Sequence, residues 1–184
     1  LTPTHKGTVG TDSLNKALQD AINPAIPGLA EKKIGGFIFR QGDKVMQIKN
    51  NYDLEWEKGG REGSGIFNGD IGVINRIDLH EHNLEIAFED RVAVYTFDLL
   101  EELELAYAIT VHKSQGSEYP IVIVPMGSSP SMLLSRNLFY TAVTRAQSMV
   151  ILVGRERVIR TMVENNRQSM RYTGLCKWLA EAED

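Results

Sequence analysis

The sequence is poor in cysteine and contains no long apolar run, and each absence narrows the classes of protein it fits. Cys176 is the single cysteine among 184 residues. This count excludes an internal disulfide framework and a multi-cysteine metal site, and it favours a reducing, cytosolic setting. No stretch of about 18 apolar residues occurs, so the sequence predicts no membrane-spanning helix. The first residues also lack the basic and apolar regions of a secretory signal.

Positive charge is not in excess either. The chain has 24 acidic and 20 basic residues, a formal net charge of −4. Proteins that wrap duplex DNA are usually basic, so this balance lowers the expectation of nucleic-acid binding. A narrow track that grips one strand by hydrogen bonds and stacking stays compatible with it. The chain begins at Leu1 without an initiator Met, and we interpret it as part of something longer.

Hydrophobic periodicity predicts an amphipathic helix near the start of the chain. It covers about residues 12–22, with Thr11 or Asp12 as the N-cap and Asn23-Pro24 as the end. Five apolar residues at helical spacing form one face: Leu14, Ala17, Leu18, Ala21 and Ile22.

Period-two alternation then predicts a small β-barrel. Candidate strands lie at 45–48, 71–77, 84–88 and 92–97, with turns at 68–69, 81–83 and 89–90. Several short strands joined by tight turns favour an SH3-like barrel. The glycine-rich segment 56–65 is predicted to be a mobile loop, with Trp56 as a loop aromatic that could stack on a base.

An α/β pattern follows the barrel. It predicts a β-leaning run at 105–111, strands buried on both faces at 121–124 and 149–153, and helices at 133–146, 155–171 and 175–182. Trp178 is expected to pack in a core or an interface. We predict three parts: residues 1–36 begin an α/β domain, 37–104 form the inserted barrel, and 105–184 complete the domain.

Residues 110–118, TVHKSQGSE, carry the densest group of polar side chains. They follow a predicted strand, and ligands bind at strand ends in open α/β sheets. Hydroxyls, a histidine and backbone N–H groups near a glycine suit phosphate, and the Glu118 carboxylate suits a ribose hydroxyl. A solvated polar loop explains the same residues equally well.

Two basic residues are further candidates for contacts to phosphate. Arg145 lies near a predicted helix end, where its planar guanidinium could reach a phosphate. The commoner alternative is an arginine that complements the helix dipole. Lys6, followed by Gly7 after a strand end, is a weaker candidate, because a surface lysine is the usual case. The four histidines do not have metal-ligand spacing.

In combination these segments resemble the RecD-like helicases of superfamily 1. AITVHKSQGSE (108–118) resembles motif V and LFYTAVTRA (138–146) resembles motif VI, while Lys6-Gly7 falls where motif IV lies. Segments 42–51 and 67–72 resemble the inserted SH3-like domain, and 166–168 with 172–175 match the C-terminal end. The resemblance covers nearly the whole chain in the right order, and stand-alone bacterial members look more similar than the exonuclease V subunit or conjugative relaxases.

The resemblance implies a RecA-like second motor domain, with a parallel sheet and flanking helices, interrupted by the small SH3-like β-barrel. It implies a helicase that hydrolyses ATP with Mg²⁺, moves 5′ to 3′ on single-stranded DNA, and acts in DNA repair or recombination in the bacterial cytoplasm. ATP and Mg²⁺ would be held mainly by a first RecA-like domain, the partner that this chain lacks.

Roles for individual residues also follow from the resemblance. Arg145 and Lys6 would contact phosphate during catalysis, and Gly116 and Glu118 would lie beside the nucleotide. The expected DNA-binding residues come from the loop and the barrel: Thr110, His112, Ser114, Asn50 and Asn51, with Gln47 as a further candidate.

Two features depart from the family pattern. Segment 56–65 is longer than expected, and the chain has neither a G-x-x-x-x-G-K-[ST] phosphate loop nor an acidic strand end for Mg²⁺. We therefore expect no ATPase activity from the chain alone. Two alternatives stay open: a non-enzymatic module that binds single strands or proteins, and the helicase region of a conjugative relaxase.

Overall fold

A computed structural model describes residues 1–127, 135–165 and 178. Helix α1 spans Thr11–Ile22, and a hairpin of β1 (Glu31–Ile34) and β2 (Phe37–Arg40) follows it. The predicted 36/37 domain boundary falls inside this hairpin, where β1 pairs with β2, and the three-part division stays a prediction. Helix 175–182, the end of helix 155–171 and the C-terminal motif segments 166–168 and 172–175 lie outside the described residues, apart from Trp178, which is exposed.

The middle of the chain forms a seven-stranded antiparallel sheet with the strand order β5-β4-β8-β7-β6-β3-β9. Alternate side chains point into one apolar core, which includes the fully buried Tyr95, Leu84 and Ile86. The predicted period-two strands and their turns are therefore confirmed. A 3-10 helix (Phe97–Glu102) leads into the last strand. The strands are β3 (Lys44–Gln47), β4 (Asn51–Lys58), β5 (Arg61–Ile66), β6 (Ile71–Asp78), β7 (Asn83–Phe88), β8 (Arg91–Thr96) and β9 (Leu103–Leu105).

The prediction of a mobile loop at 56–65 is wrong. These residues form most of the β4–β5 hairpin, whose turn is Gly59-Gly60 with φ angles of 55° and 78°. Trp56 pairs with Gly63, and a Cβ atom on Gly63 would lie 2.4 Å from the Trp56 ring. The glycines thus make a tight turn and leave room for a large ring, and the half-buried Trp56 packs against the barrel core.

The structure confirms the predicted bounds of helix α1. It does not confirm the predicted side-chain cap or the expected apolar packing face. Gly10 precedes the helix, and no side chain caps it. The buried face is polar, consisting of Thr11, Asn15 and Gln19, whereas Ile22 on the apolar face is exposed. A polar face is buried without penalty only when its groups find hydrogen-bond partners, and here each amide does.

Asn15 holds the segment between the barrel and the 110–118 loop. Its Nδ2 donates to the carbonyl oxygens of Leu105 and Ala108 at 2.8 and 3.0 Å, and its Oδ1 accepts from the Ala108 N–H at 2.7 Å. The β-leaning run 105–111 is therefore a strand only up to Leu105, and its end forms one isolated parallel bridge between Thr110 and Thr2.

Asp43 connects α1, the barrel and the same segment. Its carboxylate has no solvent exposure. It accepts hydrogen bonds from Gln19 Nε2 at 2.6 Å, Asn23 Nδ2 at 2.7 Å and Tyr107 OH at 2.8 Å, and from the Arg40 N–H at 2.7 Å. The barrel is thus joined to α1 and to the chain entering the 110–118 loop through one saturated carboxylate.

The second layer is an α/β unit. β10 (Tyr119–Met126) runs parallel to β11 (Ala146–Gly154), and α2 (Arg136–Val143) and α3 (Glu156–Glu164) belong to the same unit. Val122, Val124 and Met126 pack into a core that includes residues of both helices. The opposite face is open, because Ile121 and Ile123 are 52% and 53% exposed. Both strands are confirmed, but their predicted burial on two faces is wrong for the residues that the structure describes.

Candidate functional site

The 110–118 loop is a compact series of turns. Backbone N–H groups of Ser114 and Ser117 donate to the carbonyls of Thr110 and Ser114, each at 3.1 Å. Gly116 has a φ of 86°, a conformation that favours glycine, and open space surrounds its Cα. The loop therefore exposes bare backbone at Gly116, where a ligand can approach closely.

Two of the predicted DNA-binding side chains point inward. Thr110 and Ser114 are buried. Ser114 Oγ donates to the Val111 carbonyl at 2.7 Å, and Thr110 Oγ1 accepts from the Lys113 N–H at 3.2 Å. Their hydroxyls hold the loop together, and their contact with DNA stays a prediction. His112 lies on the exposed side of the same loop.

Arg145 reaches the 110–118 loop from the end of α2. Its NH1 donates to the Ser117 carbonyl at 3.2 Å, while its buried Nε has no hydrogen-bond partner in the part of the chain that the structure describes. The side chain thus turns toward the loop, and none of its hydrogen bonds there goes to a carbonyl of α2. Both the phosphate contact and the helix-dipole alternative stay predictions.

Glu118 lies on the same edge as Arg145. Gln147 Nε2, two residues after Arg145, donates to Glu118 Oε2 at 3.3 Å. The structure therefore places Gly116, Glu118 and Arg145, the three residues predicted at the nucleotide, around one short stretch of loop. Sequence reasoning missed the contacts made by Ser117 and Gln147, for which the only available signal was their position beside the two motifs.

Lys6 lies on a separate, exposed loop. That loop is folded tightly against the start of α1, because a Cβ on Gly10 would lie 2.3 Å from the His5 carbonyl oxygen. Thr4 Oγ1 donates to the Lys6 carbonyl at 2.8 Å. Within the described ranges, no hydrogen bond or ion pair joins the Lys6 ammonium to Arg145 or to the 110–118 loop, so its catalytic role stays a prediction.

The barrel residues predicted to bind DNA differ in their solvent exposure and in the hydrogen bonds they already make. Gln47 is fully buried and bonded to Tyr95 and Glu102, so its expected contact with DNA is wrong. Asn51 Nδ2 donates to Glu102 Oε2 at 3.0 Å, and its Oδ1 accepts from the Leu54 N–H. Asn50 is exposed, and it is the one of the three that faces solvent.

A cleft of about 320 Å³ separates the barrel from the 110–118 loop. Asp70, Glu89, Asp90 and Glu118 contribute four carboxylates to its walls, and Arg91 contributes a cation. Arg91 NH2 is already paired with Asp70 at 2.6 Å. The cleft is therefore acidic and is unsuited to phosphate.

The described ranges contain neither a cluster of metal ligands nor a helix that could span a membrane. No three His, Cys, Asp or Glu side chains lie close enough together there to hold a metal ion. The described helices are too short or too polar to cross a membrane.

Comparison with known protein families first defines the class of this chain. Residues 105–153, which hold the 110–118 loop, α2 and Arg145, match the UvrD-like helicase C-terminal domain. Residues 14–88 match the SH3 domain of ATP-dependent RecD-like DNA helicases. The chain belongs to the RecD-like helicases.

Two relatives are similar over most of the chain. The RecBCD enzyme subunit RecD of Mycolicibacterium smegmatis is 40% identical over 177 residues, 96% of this chain and 28% of that protein. The ATP-dependent RecD2 DNA helicase of Deinococcus radiodurans is 38% identical over 154 residues, 84% of this chain and 19% of that protein. The chain thus spans less than a third of either relative. Because the two identities are similar, assignment to the stand-alone type stays a prediction.

Solved structures agree on the fold. Two coordinating Pif1 helicases at forked double-stranded DNA give a TM-score of 0.57 at 17% identity, covering 95% of this chain and 43% of that chain. Pif1 helicase from Bacteroides in complex with ADP-AlF3 and single-stranded DNA gives 0.52 at 15% identity, covering 95% and 44%. The α/β layer with its SH3-like barrel is therefore a helicase fold.

Proposed function

We propose that this chain forms the second motor domain and the inserted barrel of an ATP-dependent DNA helicase that moves along single-stranded DNA. Movement from 5′ to 3′, a role in DNA repair or recombination, and a bacterial cytoplasmic setting come from the family resemblance and belong to the same proposal. ATP and Mg²⁺ would be held mainly by a first RecA-like domain of the same protein, across a cleft from Arg145.

The state of the Arg145 guanidinium carries this proposal. A guanidinium has five N–H donors, yet the described residues offer this one a single hydrogen bond, to Ser117, and leave its buried Nε unpaired. An unsatisfied buried donor costs about 1–3 kcal/mol. A phosphate oxygen from a nucleotide at Gly116 would supply the missing acceptor, and a planar fork binds phosphate in two parallel bonds.

Arg145 would contribute charge rather than a proton. Its guanidinium stays protonated at any physiological pH, so it would stabilise the negative charge that develops on the transferred phosphoryl group. The 110–118 loop would couple this event to DNA, because it has Gly116 and Glu118 at one end and the exposed His112 at the other. A ligand that shifts one end of so compact a loop must shift the other.

The test is Arg145→Ala in the full-length helicase. DNA-stimulated ATP hydrolysis should fall by roughly 10³-fold or more, while affinity for single-stranded DNA is largely kept. Arg145→Lys should restore little, because lysine keeps the charge but lacks the planar fork. Arg160→Ala is the matched control, since within the described residues Arg160 makes only an exposed ion pair with Glu156 on α3. Near-normal turnover in Arg145→Ala would overturn the proposal.

A further inference from the structure

A groove of about 950 Å³ lies on the outer face of the barrel, along the β4–β5 hairpin and strand β8. Glu57 lies opposite Glu62 on β5 and opposite Val92 on β8, and Glu85 on β7 lies opposite Val94. Alternate residues of a strand point to the same face of a sheet. Four neighbouring strands therefore contribute side chains to one surface, the β8 groove.

The floor of the β8 groove is apolar and its walls are acidic. Val92 and Val94 lie in the floor, and Val94 is 52% exposed. Among the residues that the structure describes, no lysine or arginine lines the groove, whereas five carboxylates do: Asp53, Glu55, Glu57, Glu62 and Glu85. None of the five belongs to an ion pair within the described ranges. The groove is therefore a local concentration of negative charge.

Two of these carboxylates oppose each other directly. Glu57 pairs with Glu62 across β4 and β5, and like charges directly opposite in a sheet destabilise it. The next pair, Lys58 with Arg61, is also like-charged, but Lys58 forms an ion pair with Asp90. Alternation directs Lys58 and Arg61 to the other face of the hairpin. A cation from outside the described residues would therefore relieve the repulsion between Glu57 and Glu62.

The spacing of the carboxylates suits an extended chain. Glu55 and Glu57 are two residues apart on β4, a separation of about 7 Å. Alternate side chains of an extended peptide have the same separation. The exposed valines beside them offer apolar contact that a small cation does not use. A nucleic acid would bring phosphates against the carboxylates, and like charges repel. A peptide with both basic and apolar side chains therefore matches the groove.

We propose that the β8 groove is a docking site for an extended segment of a partner protein that carries lysine or arginine residues. The basic side chains pair with the carboxylates of the walls, and apolar side chains of the same segment lie on Val92 and Val94. The proposal goes beyond the helicase function, because neither a nucleotide nor DNA takes part in this contact.

The test uses a short fluorescent peptide in which lysine and valine alternate, with binding followed by anisotropy. The wild-type chain should bind this peptide, and affinity should fall as salt rises. Glu57→Gln with Glu62→Gln should weaken binding by roughly fivefold or more at low salt. Glu81→Gln with Glu101→Gln is the matched control, because it removes two exposed carboxylates outside the groove. Its affinity should stay within about twofold of wild type.

A second peptide separates a docking groove from a general attraction for cations. Alternating lysine and serine has the same charge but no apolar side chains, so the wild-type chain should bind it more weakly. Val94→Thr should remove the difference between the two peptides, because a hydroxyl replaces part of the apolar floor. Val73→Thr alters an exposed valine on β6 outside the groove, and it should keep the difference.

The repulsion between Glu57 and Glu62 has its own measurement. Without any peptide, Glu57→Gln should raise the urea concentration at the midpoint of unfolding, because it removes one of two opposed charges. Glu81→Gln should not raise it. Circular dichroism of each variant checks that it is folded.

Four outcomes would overturn the proposal. They are no binding of the lysine-valine peptide, equal losses in the groove variant and its control, equal affinities for the two peptides, and no rise in the unfolding midpoint with Glu57→Gln. Equal affinities for the two peptides would mean that the groove attracts any cation. None of these measurements uses ATP or DNA, so their failure is distinguishable from failure of the Arg145 test.

Discussion

Tyr107 and Asp43 form the contact through which the barrel meets the segment before the 110–118 loop. Burial, together with the hydrogen bond to the Asp43 carboxylate and its negative charge, raises the pKa of Tyr107 to about 12 from its ordinary value of 10.0. The phenol must keep its proton to donate this bond. The hydrogen bond between barrel and loop therefore depends on the phenolic proton of Tyr107, which the folded chain holds more tightly than the unfolded chain.

This pKa shift predicts a loss of stability at high pH. A group whose pKa is raised on folding stabilises the protein fully below its unfolded pKa, and the contribution disappears as pH rises through the folded value. For Tyr107 the window is pH 10 to about 12. The free energy of unfolding, measured with urea across this window, should fall more in the wild type than in Tyr107→Phe. The difference between the two proteins should be constant near neutral pH, and parallel curves throughout would contradict the assignment.

The β4–β5 hairpin depends on glycines for two separate reasons. Gly59-Gly60 makes the turn because both residues have positive φ angles, which L side chains rarely adopt. Gly63 has an ordinary φ but lies under the Trp56 ring, which also contacts the Arg91 guanidinium at 5.7 Å. The Trp56 ring thus packs over Gly63, in the space that a side chain would otherwise fill, and this contact orders the exposed part of the hairpin.

Gly63→Ala tests this packing. The new methyl group would lie 2.4 Å from a Trp56 ring atom, so the ring must leave its place, and overpacking of this kind costs about 1–3 kcal/mol. Chemical denaturation followed by circular dichroism measures the loss. Ser64→Ala, an exposed neighbour on the same strand, should change stability by less than about 0.5 kcal/mol. Equal stabilities for the two variants would mean that the ring is not held there.

The assembled chain brings a helicase barrel and a helicase α/β layer together around one loop, and it leaves apolar surface open on both. Ile121 and Ile123 on β10, and Val94 on the barrel strand β8, are exposed. The residues predicted to face a nucleotide are concentrated at Gly116, Glu118 and Arg145, and the sequence contains no phosphate loop. We therefore predict that the chain supplies contacts to a nucleotide rather than an enclosing pocket for it.

Calorimetry of the isolated chain with ATP and Mg²⁺ tests this prediction. We expect weak binding, because one guanidinium and one stretch of backbone replace the many N–H donors of a phosphate loop. The full-length helicase is the positive control, and it should bind ATP in the range typical of its class. Micromolar affinity of the isolated chain would mean that a nucleotide site exists elsewhere in it.

Local pattern was sufficient for much of the candidate site. Alternation of apolar residues located β6, β7 and β8. The segments containing Gly116, Glu118 and Arg145 were recognisable because they resemble motifs V and VI of a helicase family. The structure places these three residues together. Their roles toward a nucleotide stay predictions, as do those of His112 and Lys6.

Packing between distant segments explains what the pattern did not reveal. Asn15 is buried because it finds Leu105, 90 positions away, and Gly63 looks like a loop residue until Trp56 covers it. Ser114 resembles a phosphate ligand in the sequence, but in the fold its hydroxyl bonds to Val111. Periodicity and residue type thus establish which elements form and which chemistry is available. Which face is buried, and which polar groups are left for a ligand, depends on hydrogen-bond partners that only folding brings within reach.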